Sequence, residues 1–497
     1  MTAVIWSIAG SDNSGGAGIQ ADLQTISQLG ALAPLHLCTL VTAVTAQGPA
    51  GLIACQSVDV RLLQQQAQSL LPEHAPAVIK TGLLCNPQQL DWVIGLVQQL
   101  KQQNPQLLVV CDPVKQCSSG GELSELQPQH WQRFWPYVDV LTPNLPELQY
   151  LSSQTNPATA ADWLLQQGVK AVLIKGGHSD SALAQDQLRI NPAFRYRGFP
   201  AYPQQVTLAS PKLAGNRHGT GCVLSAALAA ALAQGFALED AFVLAKVYIQ
   251  QGIQQAVQLG NYCHNGHRAV DASSTLPQLH CAVPAQPLSF PPLSAPLGLY
   301  LVLPDYATLA LAVAAGAKTV QLRLKQQPEV ELRHQISAAI TLCRQHQVQL
   351  FINDHWQLAI ELGAYGVHLG QEDVDQANLQ AIAHAGLRLG LSCHGLYKLL
   401  RAEQLQPSYL AIGAVFATQT KDMSGKLQGL DKLPLYRQLF RQRPLVAIGG
   451  ITPQNAAAVL STGIRHLALV SAFVQAEDKP AFVRQLQQLI EEFPHAD

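Results

Sequence analysis

The sequence predicts an α/β protein of two domains: an open parallel sheet over residues 1–272 and a (β/α)8 barrel over residues 297–497. Three observations carry this expectation. The chain has 497 residues, too many for one domain. Short apolar, β-branched runs alternate throughout with Ala/Leu/Gln-rich helical stretches, the pattern of strands crossed by helices. Pro277, Pro284, Pro287, Pro291, Pro292 and Pro296 interrupt any helix across 273–296 and mark that stretch as a linker.

In the first half, strand-like runs fall at Ala3 to Ala9, Leu37 to Val44, Ala77 to Lys80, Leu107 to Val110, Asp139 to Thr142 and Ala171 to Lys175. An open parallel sheet fits them. In the second half, apolar runs recur every ~20 to 25 residues: GLYLVL, TVQLRLK, QLFIND, GVHLG, LRLGLS, YLAIGAVF, PLVAIGG and HLALVS. Helical stretches at Glu331 to His346, Asp354 to Leu362 and Pro453 to Leu460 lie between them, so closure into a barrel is the natural outcome.

Composition narrows the function. Lys plus Arg total 31 against 32 Asp plus Glu, so no basic excess exists to neutralise a phosphodiester backbone, and no nucleic-acid partner is expected. Charged residues make up 13% and hydrophobic ones 48%, enough to bury large cores. The ten cysteines are scattered without a CxxC pair, which indicates neither a disulfide framework nor a zinc ribbon. The longest alanine-leucine run, Ala226 to Ala233, is far short of the ~20 residues needed to span a bilayer. A soluble, cytoplasmic protein with no membrane partner is the expectation.

A barrel carries its chemistry at the carboxyl ends of its strands, and polar residues collect there. Gln321, Arg323 and Lys325 end the second strand, Asn353 and Asp354 the third; Asp373 follows the fourth and Ser392 ends the fifth. Thr418, Gln419, Thr420 and Lys421 follow the sixth, Gly449 and Gly450 the seventh, Val470 and Ser471 the eighth. Two carboxylates beside cations suit a Mg2+ bridging to a diphosphate; equally, Asp354 could cap a helix while Asp373 faces water. His368, inside a strand, reads as a satisfied core histidine.

The strings QLRLK, FINDHWQLAIELGAYGVHLGQED, GLS, VFATQTK, AIGGI and VSAF cover the second half in order, and this half resembles thiamine phosphate synthase. The resemblance implies that Asp354 and Asp373 hold Mg2+. Gln321, Leu322, Arg323, Leu324, Lys325, Asn353, Ser392 and Lys421 would hold a pyrimidine diphosphate. Thr418, Gln419, Thr420, Gly450, Val470 and Ser471 would hold a thiazole phosphate. Cys393, Gly395 and Ala417 depart from the family pattern beside these positions.

In the first half, SIAGSDNSGGAGIQAD sets a glycine-rich turn between strand and helix, and no GxxxxGK[ST] occurs. In HGTGCVLSAALAAALAQG, Gly219, Thr220, Gly221 and Cys222 open a small-residue helix whose unpaired N–H groups favour an anion. Cys222 is open to two readings, an inert buried cysteine or a thiol whose pKa the helix terminus lowers so that it serves as a base. This half resembles the ribokinase-like superfamily and, within it, the hydroxymethylpyrimidine/phosphomethylpyrimidine kinases, through AGSDNSGGAGIQADL, TAVTAQ, DPV, LTPNLPE, LIKGGH and HGTGC.

That resemblance implies Gln47 on the pyrimidine, Asn144 and Glu147 organising the Mg-nucleotide, Lys175 near phosphate and Cys222 as base. ATP is the implied co-substrate, and a homo-oligomer the implied assembly. Asp22 and Asp112 are either further site residues or caps. Ser118, Ser119, Gly120 and Gly121 stand where relatives often carry a Lys-Ser-Gly and an acidic residue. Cys263, His264 and His267, with His280 and Cys281, are spaced too irregularly to read as a zinc site. Together the two resemblances imply one chain making thiamine phosphate from an aminopyrimidine alcohol, a thiazole phosphate and ATP.

Overall fold

The computed structural model describes residues 2–48, 51–116, 121–177, 181–196, 199–200, 203–213, 218–259, 262–280, 288–325, 327–418 and 427–493. The chain divides into two compact units, Met1–Cys281 and Ala282–Asp497.

The first unit is built on strands β1 (Ala3–Asp12), β2 (Leu35–Gly48), β3 (Gly51–Ser57), β4 (Val78–Thr81), β5 (Leu108–Cys111), β6 (Val140–Leu141), β7 (Ala171–Ile174) and β8 (Leu183–Ile190). There follow a small hairpin β9 (Arg195–Tyr196) and β10 (Phe199–Pro200), then β11 (Gln205–Pro211), a second hairpin β12 (Val257–Leu259) and β13 (Tyr262–His264), and β14 (Gln278–Leu279). Ten of these form one sheet in the order β14-β11-β8-β7-β6-β5-β4-β1-β2-β3. The centre, from β2 to β7, is parallel, as the sequence predicts; β3 on one side and β8, β11 and β14 on the other add antiparallel edges that it did not reveal.

Strand order reverses between β1 and β4, the switch point at which open α/β sheets leave a crevice beyond their carboxyl ends. The helix Thr220–Ala233 packs behind it against helices Gly18–Leu29 and Leu238–Gln254. Its residues 223–232 are buried on every side, so its alanines allow close approach and no polar face is needed. The opposite sheet face is covered by helix Pro87–Gln103 and a core that includes Trp6, Trp131 and Trp135.

The second unit is a closed parallel barrel of β15 (Leu299–Leu303), β16 (Thr319–Leu322), β17 (Gln349–Asn353), β18 (Gly366–Leu369), β19 (Arg388–Cys393), β20 (Tyr409–Ile412), β21 (Leu445–Ile448) and β22 (His466–Leu469), with β22 pairing back to β15. All eight predicted runs are strands. Tyr300, Phe351 and Tyr409 fill the interior because facing positions are glycine. A Cβ on Gly390 would overlap the Tyr409 ring, and one on Gly366 would lie 2.7 Å from Phe351.

The Pro-rich stretch is not wholly a free linker. Prolines forbid a helix but not a bridge or a packed coil. Gln278–Leu279 joins the first unit's sheet, and Leu288 and Phe290 are buried. Ser408 Oγ and Arg388 Nε donate to the carbonyls of Pro291 and Pro292 at 2.7 and 2.8 Å.

Candidate active sites

In the first unit, a cavity of about 790 Å³ opens at the switch point. Gln47, Asn144, Glu147, Lys175 and the turn Gly219–Cys222, all named from sequence, line it. Gly219 has φ +79°, and a Cβ there would overlap the carbonyl oxygen of Gly16, so the turn requires glycine. The helix begins at Thr220 with no side-chain cap, which leaves its first N–H groups for a ligand. A Cβ on Gly221 would lie 3.1 Å from Lys175 Nζ and 3.7 Å from Asp112 Oδ2, so a cation and a carboxylate reach the first turn.

Three lysines line this cavity, Lys80 and Lys246 buried and Lys175 partly so. Lys175 Nζ is 2.7 Å from Asp112 and 3.7 Å from Glu147. Lys246 Nζ is 2.8 Å from Asp186, whose other oxygen accepts from the Gly176 N–H. Lys80, fully buried, donates to both oxygens of Asp22 at 2.9 Å, and Ser7 Oγ donates to Asp22 at 2.6 Å. Burial alone would neutralise Lys80 and Lys175, but their carboxylate partners outweigh it and hold both ammonium groups charged.

Asp22 and Asp112 are therefore ion-pair partners and not caps. Asn144 and Glu147 do cap: each side chain takes the other's backbone N–H at 2.8 Å at the start of helix Leu145–Ser152. Of the two readings of Cys222, the one with a lowered thiol is not found. Burial pushes it up to about 11, with Lys80 pulling down and Asp112 and Asp22 pushing further up. Sequence reasoning missed Asp12, His218, Lys80, Lys246 and Asp186, all of which line the cavity. The one available signal was Lys80, a charge closing the apolar run AVIK.

At the barrel's carboxyl end, Gln321, Asn353, Asp354, Asp373, Ser392, Thr418, Gly450, Val470 and Ser471 stand on or after consecutive strands. Gln321 Nε2 donates to Tyr300 Oη (2.8 Å), which bonds Tyr409 Oη (2.7 Å). His368 spans Tyr409 Oη and Ser392 Oγ, both at 2.8 Å. Burial, with Arg323 adding, brings His368 down to about 3, so the imidazole is neutral and satisfied. Leu322 and Leu324 are buried; Leu322 alternates away from Gln321, so its side chain belongs to the packing of the barrel wall.

Asp354 is not a helix cap. It has φ +64°, precedes helix Trp356–Glu361, whose N-cap is His355, and accepts from Asn353 Nδ2 at 2.5 Å. Burial and then the charge of Asp373 push its carboxyl up, against the pull of Arg323. Asp354 and Asp373 are thus neighbouring hard-oxygen donors, and a divalent cation would offset the repulsion that Asp354 feels, so they fit Mg2+. Gly449 and Gly450 have φ +102° and +65° and press on the 414–417 segment; a Cβ on Gly450 would lie 2.6 Å from Ala417 O. The calls on Ser118, Ser119, Gly120, Gln419, Thr420, Lys421 and Cys281 lie outside the described residues. Among the described residues no three His, Cys, Asp or Glu side chains gather as for a metal. His264 instead sits against Gly16 and His218, while His267 bonds Tyr248. No helix among the described residues is long and apolar enough to cross a membrane.

Residues 12–267 match the family described as Phosphomethylpyrimidine kinase, and residues 299–473 match Thiamine monophosphate synthase. The thiamine-phosphate synthase of Neisseria meningitidis serogroup B is 52% identical over 202 residues, 41% of this chain and 98% of that protein. That of Serratia proteamaculans is 49% identical over 202 residues, 41% of this chain and 95% of that protein. A phosphomethylpyrimidine kinase structure from Clostridium difficile covers 51% of this chain and all of its own, at 29% identity and TM-score 0.40. The chain belongs to both families, as a phosphomethylpyrimidine kinase in its first unit and a thiamine-phosphate synthase in its second.

Proposed function

We propose that the first unit uses MgATP to phosphorylate 4-amino-5-hydroxymethyl-2-methylpyrimidine and then its monophosphate. The second unit joins the resulting diphosphate to 4-methyl-5-(2-phosphoethyl)thiazole, giving thiamine phosphate and diphosphate. The observation that carries the kinase reading is the uncapped, glycine-opened helix start at Gly219–Cys222, facing the same cavity as Gln47 and Lys175. Gln47 would bind the pyrimidine, and Cys222 would take the hydroxyl proton as its oxygen attacks phosphorus. The Gly219–Gly221 N–H groups and Lys175 would stabilise charge on the transferred group.

In the barrel, the thiazole nitrogen attacks the pyrimidine methylene as diphosphate leaves, which needs no general base. Asp354 and Asp373 would hold a Mg2+, whose contribution is to neutralise the departing diphosphate. Arg323, Lys325, Asn353 and Ser392 would orient the diphosphate, and Gly450, Val470 and Ser471 the thiazole phosphate. The test is to incubate the whole chain with MgATP, the pyrimidine alcohol and thiazole phosphate and to detect thiamine phosphate by mass, beside a reaction given the pyrimidine diphosphate. Product in both is expected. Product only from the supplied diphosphate refutes the kinase half, and product in neither refutes the whole reading.

A further inference from the structure

Asp12 and His218 lie far apart in sequence, yet both are buried and their side chains meet at 2.7 Å. Each belongs to one of two glycine turns at the cavity. Asp12 ends β1 and organises the first turn: its carboxylate accepts from Ser14 N at 2.9 Å, Ser14 Oγ at 2.9 Å and Ala17 N at 2.8 Å. His218 immediately precedes the second turn, Gly219–Cys222. Its own backbone is held on both sides, its N–H donating to Cys263 O at 3.2 Å and its carbonyl accepting from Asn265 Nδ2 at 2.9 Å.

The turns touch with no room to spare. A Cβ on Gly219 would overlap Gly16 O, and one on Gly16 would lie 2.8 Å from His218 Cδ2 and 3.1 Å from His264 Nε2. Two close-packed turns can still slide or tilt, because van der Waals contact fixes distance but not direction. A short, buried hydrogen bond to a carboxylate already tied to three further donors fixes direction.

We infer that the Asp12–His218 pair is a positioning element for phosphoryl transfer, holding the Gly219–Cys222 turn in register against the Gly15–Gly18 turn. This rests on the kinase reading above. His218 acts through the turn that follows it and touches no reacting atom. Releasing the bond lets the first N–H groups of helix Thr220–Ala233 move by a fraction of an ångström, while the pyrimidine end of the cavity keeps its own tie, Gln47 N–H donating to Asn13 Oδ1 at 2.8 Å. The loss therefore falls on kcat and not on the KM of the pyrimidine alcohol.

The experiment uses the full chain and follows ADP release with the pyrimidine alcohol for wild type, His218→Leu, His218→Gln and Asp12→Asn, with folding checked by thermal unfolding. His218→Leu is expected to lower kcat about a hundredfold with pyrimidine KM within twofold of wild type, the scale of a small misplacement of transition-state donors. His218→Gln, which can still donate to Asp12, is expected to recover at least tenfold of that loss. A folded His218→Leu with wild-type kcat overturns the inference, and so does equal impairment of the Leu and Gln variants. If His218→Leu does not fold, Asp12→Asn carries the same expectation of lowered kcat at constant KM, and wild-type kcat there overturns it. Absence of ADP release in wild type would instead remove the kinase reading itself.

Discussion

The Cys222 thiol makes the proposed kinase chemistry measurable by pH. Burial against the cavity wall pushes it up to about 11 even with the Lys80 ammonium nearby. A group with that pKa is ionised in roughly 3 molecules in 10,000 at about pH 7.5, and the fraction rises tenfold per pH unit until the pKa is reached. If Cys222 is the base, kcat for the pyrimidine alcohol at saturating MgATP should climb about one decade per unit between about pH 6.5 and 9. Cys222→Ser, whose hydroxyl ionises still less, should lose most of the remaining rate, at least about a hundredfold. Cys222→Asp should give a profile that is flat over the same range, because a carboxylate is already ionised there. ADP release measures each rate, and the synthase reaction of the same chain, supplied with pyrimidine diphosphate, normalises the amount of intact protein. A wild-type kcat independent of pH, or a Cys222→Ser variant with more than half the wild-type kcat, would refute the assignment and return Cys222 to a packing role.

Three further outcomes follow from the geometry. Gly219→Ala places a Cβ onto Gly16 O at φ +79°, so kinase kcat should fall at least tenfold while synthase activity in the same preparation is unchanged. Lys80→Met strands the fully buried Asp22 and should destabilise the first unit by about 3 to 5 kcal/mol; Lys80→Met with Asp22→Leu should recover most of that, read by urea unfolding of the full chain. Asp354→Asn or Asp373→Asn should raise the Mg2+ concentration needed for half-maximal synthase activity at least tenfold, and chelating Mg2+ should stop condensation in wild type; an unchanged Mg2+ dependence would remove that residue from the metal site.

What the sequence revealed of this fold tracks burial. Barrel strands and the parallel strands β1, β4, β5 and β7 are largely covered on both faces, so they read as predominantly apolar runs. β3, whose residues 53–57 are exposed, has the sequence GLIACQS and no face to bury, so nothing distinguishes it from a loop. β8 carries Asp186 inward to meet Lys246, which breaks the apolar pattern that would have announced a strand. The site divides in the same way. The turn Gly219–Cys222, Gln47 and the barrel's polar strand ends sit in contiguous motifs and were legible one by one. The pairs Asp12–His218, Asp22–Lys80 and Asp112–Lys175 join residues 206, 58 and 63 positions apart, and one sequence holds no record of which charge meets which.

Those pairings separate the chemistry of the two units. The first gathers Lys80, Lys175 and Lys246 around one cavity, each paired with a carboxylate that fixes where its ammonium group stands. The barrel interior does the opposite. His368 is neutral, and burial raises the phenols of Tyr300 and Tyr409, so the network from Gln321 to Ser392 holds no charge. Among the described residues, Arg323, Lys325, Asp354 and Asp373 follow the carboxyl ends of their strands, at the mouth. An uncharged network inside with ionic groups at the mouth supports the proposed reaction, in which a neutral aminopyrimidine is parted from a diphosphate. On that proposal the ring would lie among dipoles that need no reorganisation, and the departing charge would be met by Arg323 and by the Mg2+ that Asp354 and Asp373 would hold.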